Sequence, residues 1–299
     1  MSNKYFFKSF LSLVLLFSIS TSYAQDRFAK VEIKTEKLTD NIYVLFGAGG
    51  NIGVLVGEDG VIMIDDQFAP LSEKISAAIA KISDQPVKYL LNTHWHGDHS
   101  GGNENFAKKG AMIMAHNNVR KRMSEGLTRS PERVTPPAPA IALPVVTFSD
   151  DMSLHLNGED ILAIHVHNAH TDGDAQIYFP KSNVLHMGDT YFKARWPFID
   201  IQSGGSIDGY IKAANHALFL VDDETQIIPG HGTMSNRAEL MAYRDVLATV
   251  RTRIKKALAN GQSLEEIKAA DYLKEWEDWG AGFINNETFI ETVVKSLGE

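Results

Sequence analysis

The sequence predicts an α/β fold with two β-rich stretches, helices between them and a helical C-terminal segment. Three observations carry this. Residues 31–64 alternate short runs of apolar, β-branched residues with glycine-containing turns, residues 153–187 repeat that pattern, and residues 236–299 carry two helix-start signals. With 299 residues, 44% of them hydrophobic, the chain has material for a large core.

The first 24 residues read as a signal peptide. Lys4 and Lys8 precede an apolar run at 10–19, and Ser22-Tyr23-Ala24 supplies small residues for cleavage before Gln25. A membrane span needs about 18 or more apolar residues, and this run is broken by Ser12 and Ser18. The expected location is therefore periplasmic or secreted, with no membrane attachment after cleavage. There is no cysteine, which excludes disulfides, a lipidated N-terminal cysteine and a thiol nucleophile. Loss of Lys4 and Lys8 leaves 27 basic against 37 acidic residues, a formal charge of −10. An acidic surface disfavours nucleic acid. The longest basic run, Arg120-Lys121-Arg122, would fan out around a helix instead of forming a patch. A small-molecule substrate is the expected partner, and the oligomeric state is left open.

Residues 31–35, 42–46, 52–56 and 61–64 read as an antiparallel meander, punctuated by Gly47 to Gly50 and Asp59-Gly60. A helix is expected over 71–82, where Ile75, Ala78, Ile79 and Ile82 recur at helical spacing. Residues 87–92 read as a buried strand running into His94, 111–115 as another strand and 116–124 as a helix. Residues 131–144 hold five of the ten prolines and are expected to be a surface loop, extended or mobile. Strands resume at 153–156, 161–166, 176–179 and 184–187, a second β-layer. Asn236 with Glu239, and Ser263 with Glu266, have capping-box spacing, and Gly261 ends the helix between them. The expected organisation is 1–24 as signal, 25–235 as the main domain and 236–299 as a helical extension packed on it.

The chemistry concentrates in His94-Trp95-His96-Gly97-Asp98-His99. On an extended strand i and i+2 share a face, so His94 and His96 can grip one metal, with Asp98 continuing that face. His99 follows at a turn made pliable by Gly101-Gly102 and can reach a second metal beside Asp98. His170, Asp189 and His231 each sit in a polar or glycine-containing segment where a strand would end. Five histidines and two aspartates suit Zn²⁺ best.

This ordered set resembles the metallo-β-lactamase superfamily, whose signature is H-x-H-x-D-H followed by His, Asp or Cys, and His; the resemblance covers about residues 42–233. It implies a four-layer αβ/βα sandwich with metals at one edge. It also implies two Zn²⁺ per chain: His94, His96 and His170 on the first, Asp98, His99 and His231 on the second, and Asp189 bridging. Such a pair holds a hydroxide at neutral pH, and Asp98 would orient it and shuttle its proton.

The implied function is an exported dinuclear zinc hydrolase opening a cyclic amide or ester, with β-lactam first, and lactone or thioester as alternatives. The competing class is a non-catalytic zinc-binding protein. The cysteine-ligated β-lactamases place Cys where this chain has Asp189, and usually lack His at the position of His99. Redox relatives carry an acid where His96 stands, and nothing after Asn236 resembles a glutathione-binding tail. Tyr191, Lys193 and Arg195, just after Asp189, are candidate substrate contacts. Phe46 and Phe68 could wall the mouth of the site, and Trp276 and Trp279 read as core or interface residues.

Overall fold

The computed structural model describes residues 27–298, so the expected signal peptide lies outside the described residues. Strands β1 (Lys34–Lys37), β2 (Ile42–Phe46), β3 (Ile52–Leu55) and β4 (Val61–Ile64) form the antiparallel meander. Every residue of β3 and β4 is buried, as strands covered on both faces require. The chain then changes grammar to parallel crossovers. After α1 (Ser72–Ile79), β5 (Val87–Leu91) pairs parallel with β4. After α2 (Gly97–Ser100) and α3 (Asn103–Lys108), β6 (Met112–His116) pairs parallel with β5. Beyond α4 (Asn117–Glu125) a small hairpin, β7 (Leu127–Ser130) and β8 (Arg133–Thr135), forms its own two-stranded sheet. Strand β9 (Val146–Phe148) completes a seven-stranded sheet ordered β1-β2-β3-β4-β5-β6-β9.

The second sheet is antiparallel through β10 (Asp151–Leu156), β11 (Glu159–His165), β12 (Ala175–Phe179) and β13 (Val184–His186). Helix α5 (Ile207–Leu220) leads to β14 (Gln226–Ile228), which returns parallel to β13. The C-terminal segment is α6 (Arg237–Ala259), α7 (Leu264–Ala269) and α8 (Asn286–Gly298).

Burial shows how the layers stack. Ile42, Val44, Ile62 and Leu91 of the first sheet share a cluster with Ile161, Ile177, Phe179 and Ile228 of the second. On its other face the first sheet packs Leu45, Val54 and Met63 against Ile75, Ile79 and Phe106. The second sheet sets Leu185 and Ile227 against Ile207, Tyr210, Leu247 and Phe289. The result is the expected four-layer αβ/βα sandwich, with the C-terminal helices on the outer face of the second sheet. Among the described residues no helix is long and apolar enough to cross a membrane.

Departures from the sequence reading have local causes. The first strand is shifted from 31–35 to Lys34–Lys37, because Val31 and Ile33 pack toward the helix-side cluster instead. Residues 131–144 are not loop throughout: they contain β8 and a 3₁₀ turn at Ala140–Ala142. Helix α5 has no counterpart in the sequence reading, although Ser206 caps it by accepting from the Gly209 N–H. The capping box at Ser263 and Glu266 forms in full. At Asn236 only half of it does: the Asn236 side chain accepts from Glu239 N–H, while the Glu239 carboxylate turns to Ser235 and Lys193.

Candidate metal centre

All seven candidate ligands lie where the chain leaves the sandwich at one edge. His94 follows β5, His170 lies between β11 and β12, Asp189 follows β13 and His231 follows β14. The C-terminal ends of parallel strands gather loops in this way. The sequence expectation of one extended face for His94, His96 and Asp98 is not met, because β5 ends at Leu91 and residues 93–95 bend before the helix; His94 and His96 come together across that bend. His96 is extended and starts α2, so Asp98 and His99 sit about 100° apart around a helical turn. That rotation separates them: the Asp98 side chain is 28% exposed toward solvent, and His99 is fully buried.

The ligand atoms form three overlapping groups, each with all atoms within 4.8 Å: His94, His96 and His170; His94, His99 and Asp189; Asp98, His99 and His231. Outer partners fix which ring nitrogen of each histidine faces inward. His170 Nδ1 donates to the Phe198 carbonyl at 2.6 Å, leaving Nε2 as an acceptor. His96 Nε2 donates to Asp200 Oδ2 at 2.9 Å, leaving Nδ1 as an acceptor. Those two acceptor nitrogens face each other at 2.8 Å. Thr93 Oγ1 spends its proton on Asp65 Oδ2 at 2.7 Å, so His94 Nδ1 donates to Thr93 Oγ1 at 3.1 Å. His94 Nε2 is buried with no hydrogen-bond partner. Three ring nitrogens therefore converge on one point, an arrangement that suits a metal cation. Burial pushes His170 down to about 4 and His94 well below the ordinary imidazole value, so these two rings present lone pairs. The donor chemistry fits zinc.

The second group is more anionic. His99 Nδ1 donates to Asp65 Oδ2 at 2.7 Å, and its Nε2 lies 3.0 Å from Asp189 Oδ1 and 3.4 Å from His231 Nε2. Asp98 Oδ2 lies 3.4 Å from His231 Nε2. Burial alone would lower His99, but the carboxylates of Asp189, Asp98 and Asp65 outweigh it and hold its proton well above the usual value. Against the same burial, Asp189 raises His231 to about 9. Burial would raise Asp98, yet His99 and His231 bring it to about 2. The carboxylates that favour protons on these two rings would favour a metal dication in the same place. Asp189 touches both groups: Oδ1 faces His99 and His231, and Oδ2 lies 3.5 Å from His170 and 3.8 Å from His94.

The supporting residues were not foreseen from the sequence. Asp65 is buried with φ +63°, a left-handed conformation that strains a non-glycine residue and clusters at functional sites. Its other oxygen accepts from Thr93 N–H at 2.7 Å. Asp200 is clamped by Arg129, through Nη1 to Oδ1 at 2.8 Å and Nη2 to Oδ2 at 2.5 Å. Asp174 accepts from His170 N–H and Thr171 N–H at 2.7 and 2.8 Å, and burial pushes its carboxyl up to about 8. Asp65→Asn tests this outer layer, because asparagine tolerates the left-handed backbone but presents no charge to His99. Metal affinity measured against a chromophoric chelator is expected to fall about 10- to 100-fold; wild-type affinity would show that Asp65 does not set the ligand.

A cleft of about 450 Å³ opens beside Asp98, Asp189 and His231. Of the three candidate substrate contacts, only Arg195 lines it. Tyr191 is 1% exposed and hydrogen-bonds Ser235 through its hydroxyl, which makes it a core residue. Lys193 bonds the Met234 carbonyl and pairs with Glu239 at 2.8 Å, so its ammonium is already committed. Phe68 walls the cleft, whereas Phe46 packs between the sheets. Trp279 stacks on Tyr243 and Trp276 lies under Arg253, so both pack within this chain.

Comparison with known proteins gives a consistent picture. The metallo-beta-lactamase superfamily model matches residues 45–231. The 2,4-dinitroanisole O-demethylase subunit alpha of Nocardioides sp. (strain JS1661) is 24% identical over 258 residues, covering 83% of this chain and 73% of that protein. Metallo-beta-lactamase IND-1 of Chryseobacterium indologenes is 23% identical over 230 residues, covering 74% of this chain and 89% of that protein. The crystal structure of the DIM-1 metallo-beta-lactamase superposes with a TM-score of 0.60 at 20% identity, covering 74% of this chain and 99% of that one.

Proposed function

The chain belongs to the metallo-β-lactamase superfamily, and on that premise we propose that it is an exported hydrolase that holds two zinc ions and opens a cyclic amide or ester. Metal-dependent hydrolysis is the activity of the superfamily. The observation that carries the metal reading is the convergence of His94, His96 and His170 on one point, with His94 Nε2 buried there and without a hydrogen-bond partner. Asp189, with one oxygen toward each group, supports a bridged pair.

Bound zinc supplies a hydroxide at neutral pH and polarises a carbonyl. The protein's own residues do the rest. Asp200, Asp65, Thr93 and the Phe198 carbonyl hold the imidazoles in one orientation. Asp98, the part-exposed carboxylate beside the cleft, orients the attacking water and takes its proton.

A β-lactam is the first substrate because a β-lactamase relative spans 74% of the chain. A lactone or thioester is the second, because Asp189 and His99 stand where the cysteine-ligated β-lactamases have other residues. The non-catalytic zinc-binding alternative is set aside, since all seven ligands are present and converge. The test is the zinc-loaded protein assayed on a chromogenic cephalosporin, an acyl lactone and a thioester, with and without chelator. Turnover of the cephalosporin that chelator abolishes is expected. Turnover of the lactone alone would replace the β-lactam assignment, and no turnover of any of the three, or turnover indifferent to chelator, would overturn the hydrolase.

A further inference from the structure

The turn between β2 and β3 reads Gly47-Ala48-Gly49-Gly50, and none of its three glycines has a left-handed backbone. Conformation therefore does not call for glycine here, and space does. A Cβ at Gly47 would run into the side-chain amide of Gln67. One at Gly49 would meet the Asp98 carbonyl and the Cβ and Cγ of Gln67, and one at Gly50 the His99 ring. The main chain of this turn thus packs directly on Gln67 and on the segment that carries Asp98 and His99, with no room for a side chain.

Gln67 is itself unusual. It is fully buried just after β4 and has φ +57°, a conformation that strains a non-glycine residue. Its Nε2 donates to the Gly50 carbonyl at 2.7 Å, while its Oε1 is buried with no hydrogen-bond partner among the described residues. Turning the amide over would set Oε1 against the Gly50 carbonyl oxygen, acceptor on acceptor, so the surroundings dictate this orientation. A buried acceptor left unpaired is destabilising, and an apolar side chain of the same length would avoid it. What glutamine adds is its grip on Gly50. Because the Gly50 N–H is tied to the Asp98 carbonyl at 3.0 Å, both sides of this residue are held, and its Cα is fixed against the His99 ring. The same segment also holds the main chain of the next turn: Gln67 O accepts from Gly102 N–H at 3.1 Å, and Asp66 N–H donates to the His99 carbonyl at 2.9 Å.

We propose that Gln67 is a positioning residue for the proposed second metal position: by holding Gly50 against the His99 imidazole, it fixes the direction in which His99 presents Nε2 to Asp189 and His231. The inference rests on the two-metal reading of the proposed function. Asp65 pins the ring at Nδ1, and Gln67, through Gly50, backs it.

The test is metal affinity, measured without substrate. Gln67→Met keeps the length of the side chain and removes both the donor and the unpaired acceptor. Stepwise zinc titration of the full-length protein against a chromophoric chelator is expected to show one zinc ion weakened about tenfold or more and the other at wild-type affinity. The melting temperature of the metal-free protein should not fall. Magnetic resonance spectra of protein carrying isotope-labelled histidine assign the weakened ion, since the His99 ring should then respond only to the higher zinc concentration. Gly47→Ala approaches the same amide from the other end, where a new Cβ would meet Gln67 Oε1 and Ile33 first, and it should weaken the same ion. In the double variant the two effects should not add, and Gly47→Ala decides alone if Gln67→Met does not fold. Two zinc ions at wild-type affinity in Gln67→Met, or both weakened equally, would overturn the role of Gln67 and leave the two-metal reading standing. A wild type that binds a single zinc ion would overturn that reading and this role with it.

Discussion

Replacing His96 by alanine is expected to lower kcat/KM by about three orders of magnitude or more, since a metal that stabilises developing charge contributes several kcal/mol to the transition state. The fold should survive. The His96 side chain is part-exposed at the cleft floor, and its removal leaves the Arg129–Asp200 ion pair intact. What disappears is one of three convergent nitrogens, with His94 and His170 left to hold the first metal. Elemental analysis should show bound zinc falling from the proposed two per chain toward one, with the far-ultraviolet spectrum unchanged. Chelation of the wild type should mimic the kinetic defect, and re-addition of zinc should reverse it only in the wild type. Wild-type turnover by His96→Ala, or by thoroughly chelated protein, would refute metal-assisted hydrolysis.

The parts of the molecule legible in the sequence share a physical reason. Strands at 42–46 and 61–64 were read at their observed bounds, because each is a short apolar run closed by a turn or acid cluster. The histidines were legible because ligand spacing within one loop is local: His94 to His99 need only six residues of chain. The residues that aim those ligands were not legible, since their partners are distant in sequence. Asp65 meets His99 across 34 positions, Asp200 meets His96 across 104, and His170 is held by a main-chain carbonyl, which leaves no mark on residue identity. Lys193 misled for the same reason, its acid lying on α6. Helix α5 was different. Ser206 and the apolar positions Ile207, Tyr210, Ala213, Ala214 and Ala217 were present as a signal, so its absence from the sequence reading reflects no long-range effect.

The proposed second metal position owes its room to two glycines, which gives the other large effect. A Cβ at Gly50 would fall inside the His99 ring, against Cε1 and Nε2, and Nε2 is the nitrogen that faces Asp189 and His231. The ring has nowhere to go. It is fully buried, its Nδ1 is pinned to Asp65 at 2.7 Å, and Gly50 N–H is itself tied to the Asp98 carbonyl at 3.0 Å. At Gly230 a Cβ would meet Asp189 Oδ1 and the Gly188 main chain, so the bridging carboxylate would have to turn away from His99 and His231. Gly50→Ala and Gly230→Ala are therefore each expected to weaken one of two zinc ions by about 100-fold or more, at the upper end of outer-layer effects because a ligand atom itself is displaced. kcat/KM should fall at least as far. Gly97→Ala is the internal comparison: it lies within the same six-residue cluster, its Cβ would meet nothing within 4 Å, and alanine favours the helical turn it enters. It should retain both zinc ions. Competition titrations with a chromophoric chelator separate the cases, and two zinc ions held with wild-type affinity by Gly50→Ala would mean that His99 is not a ligand.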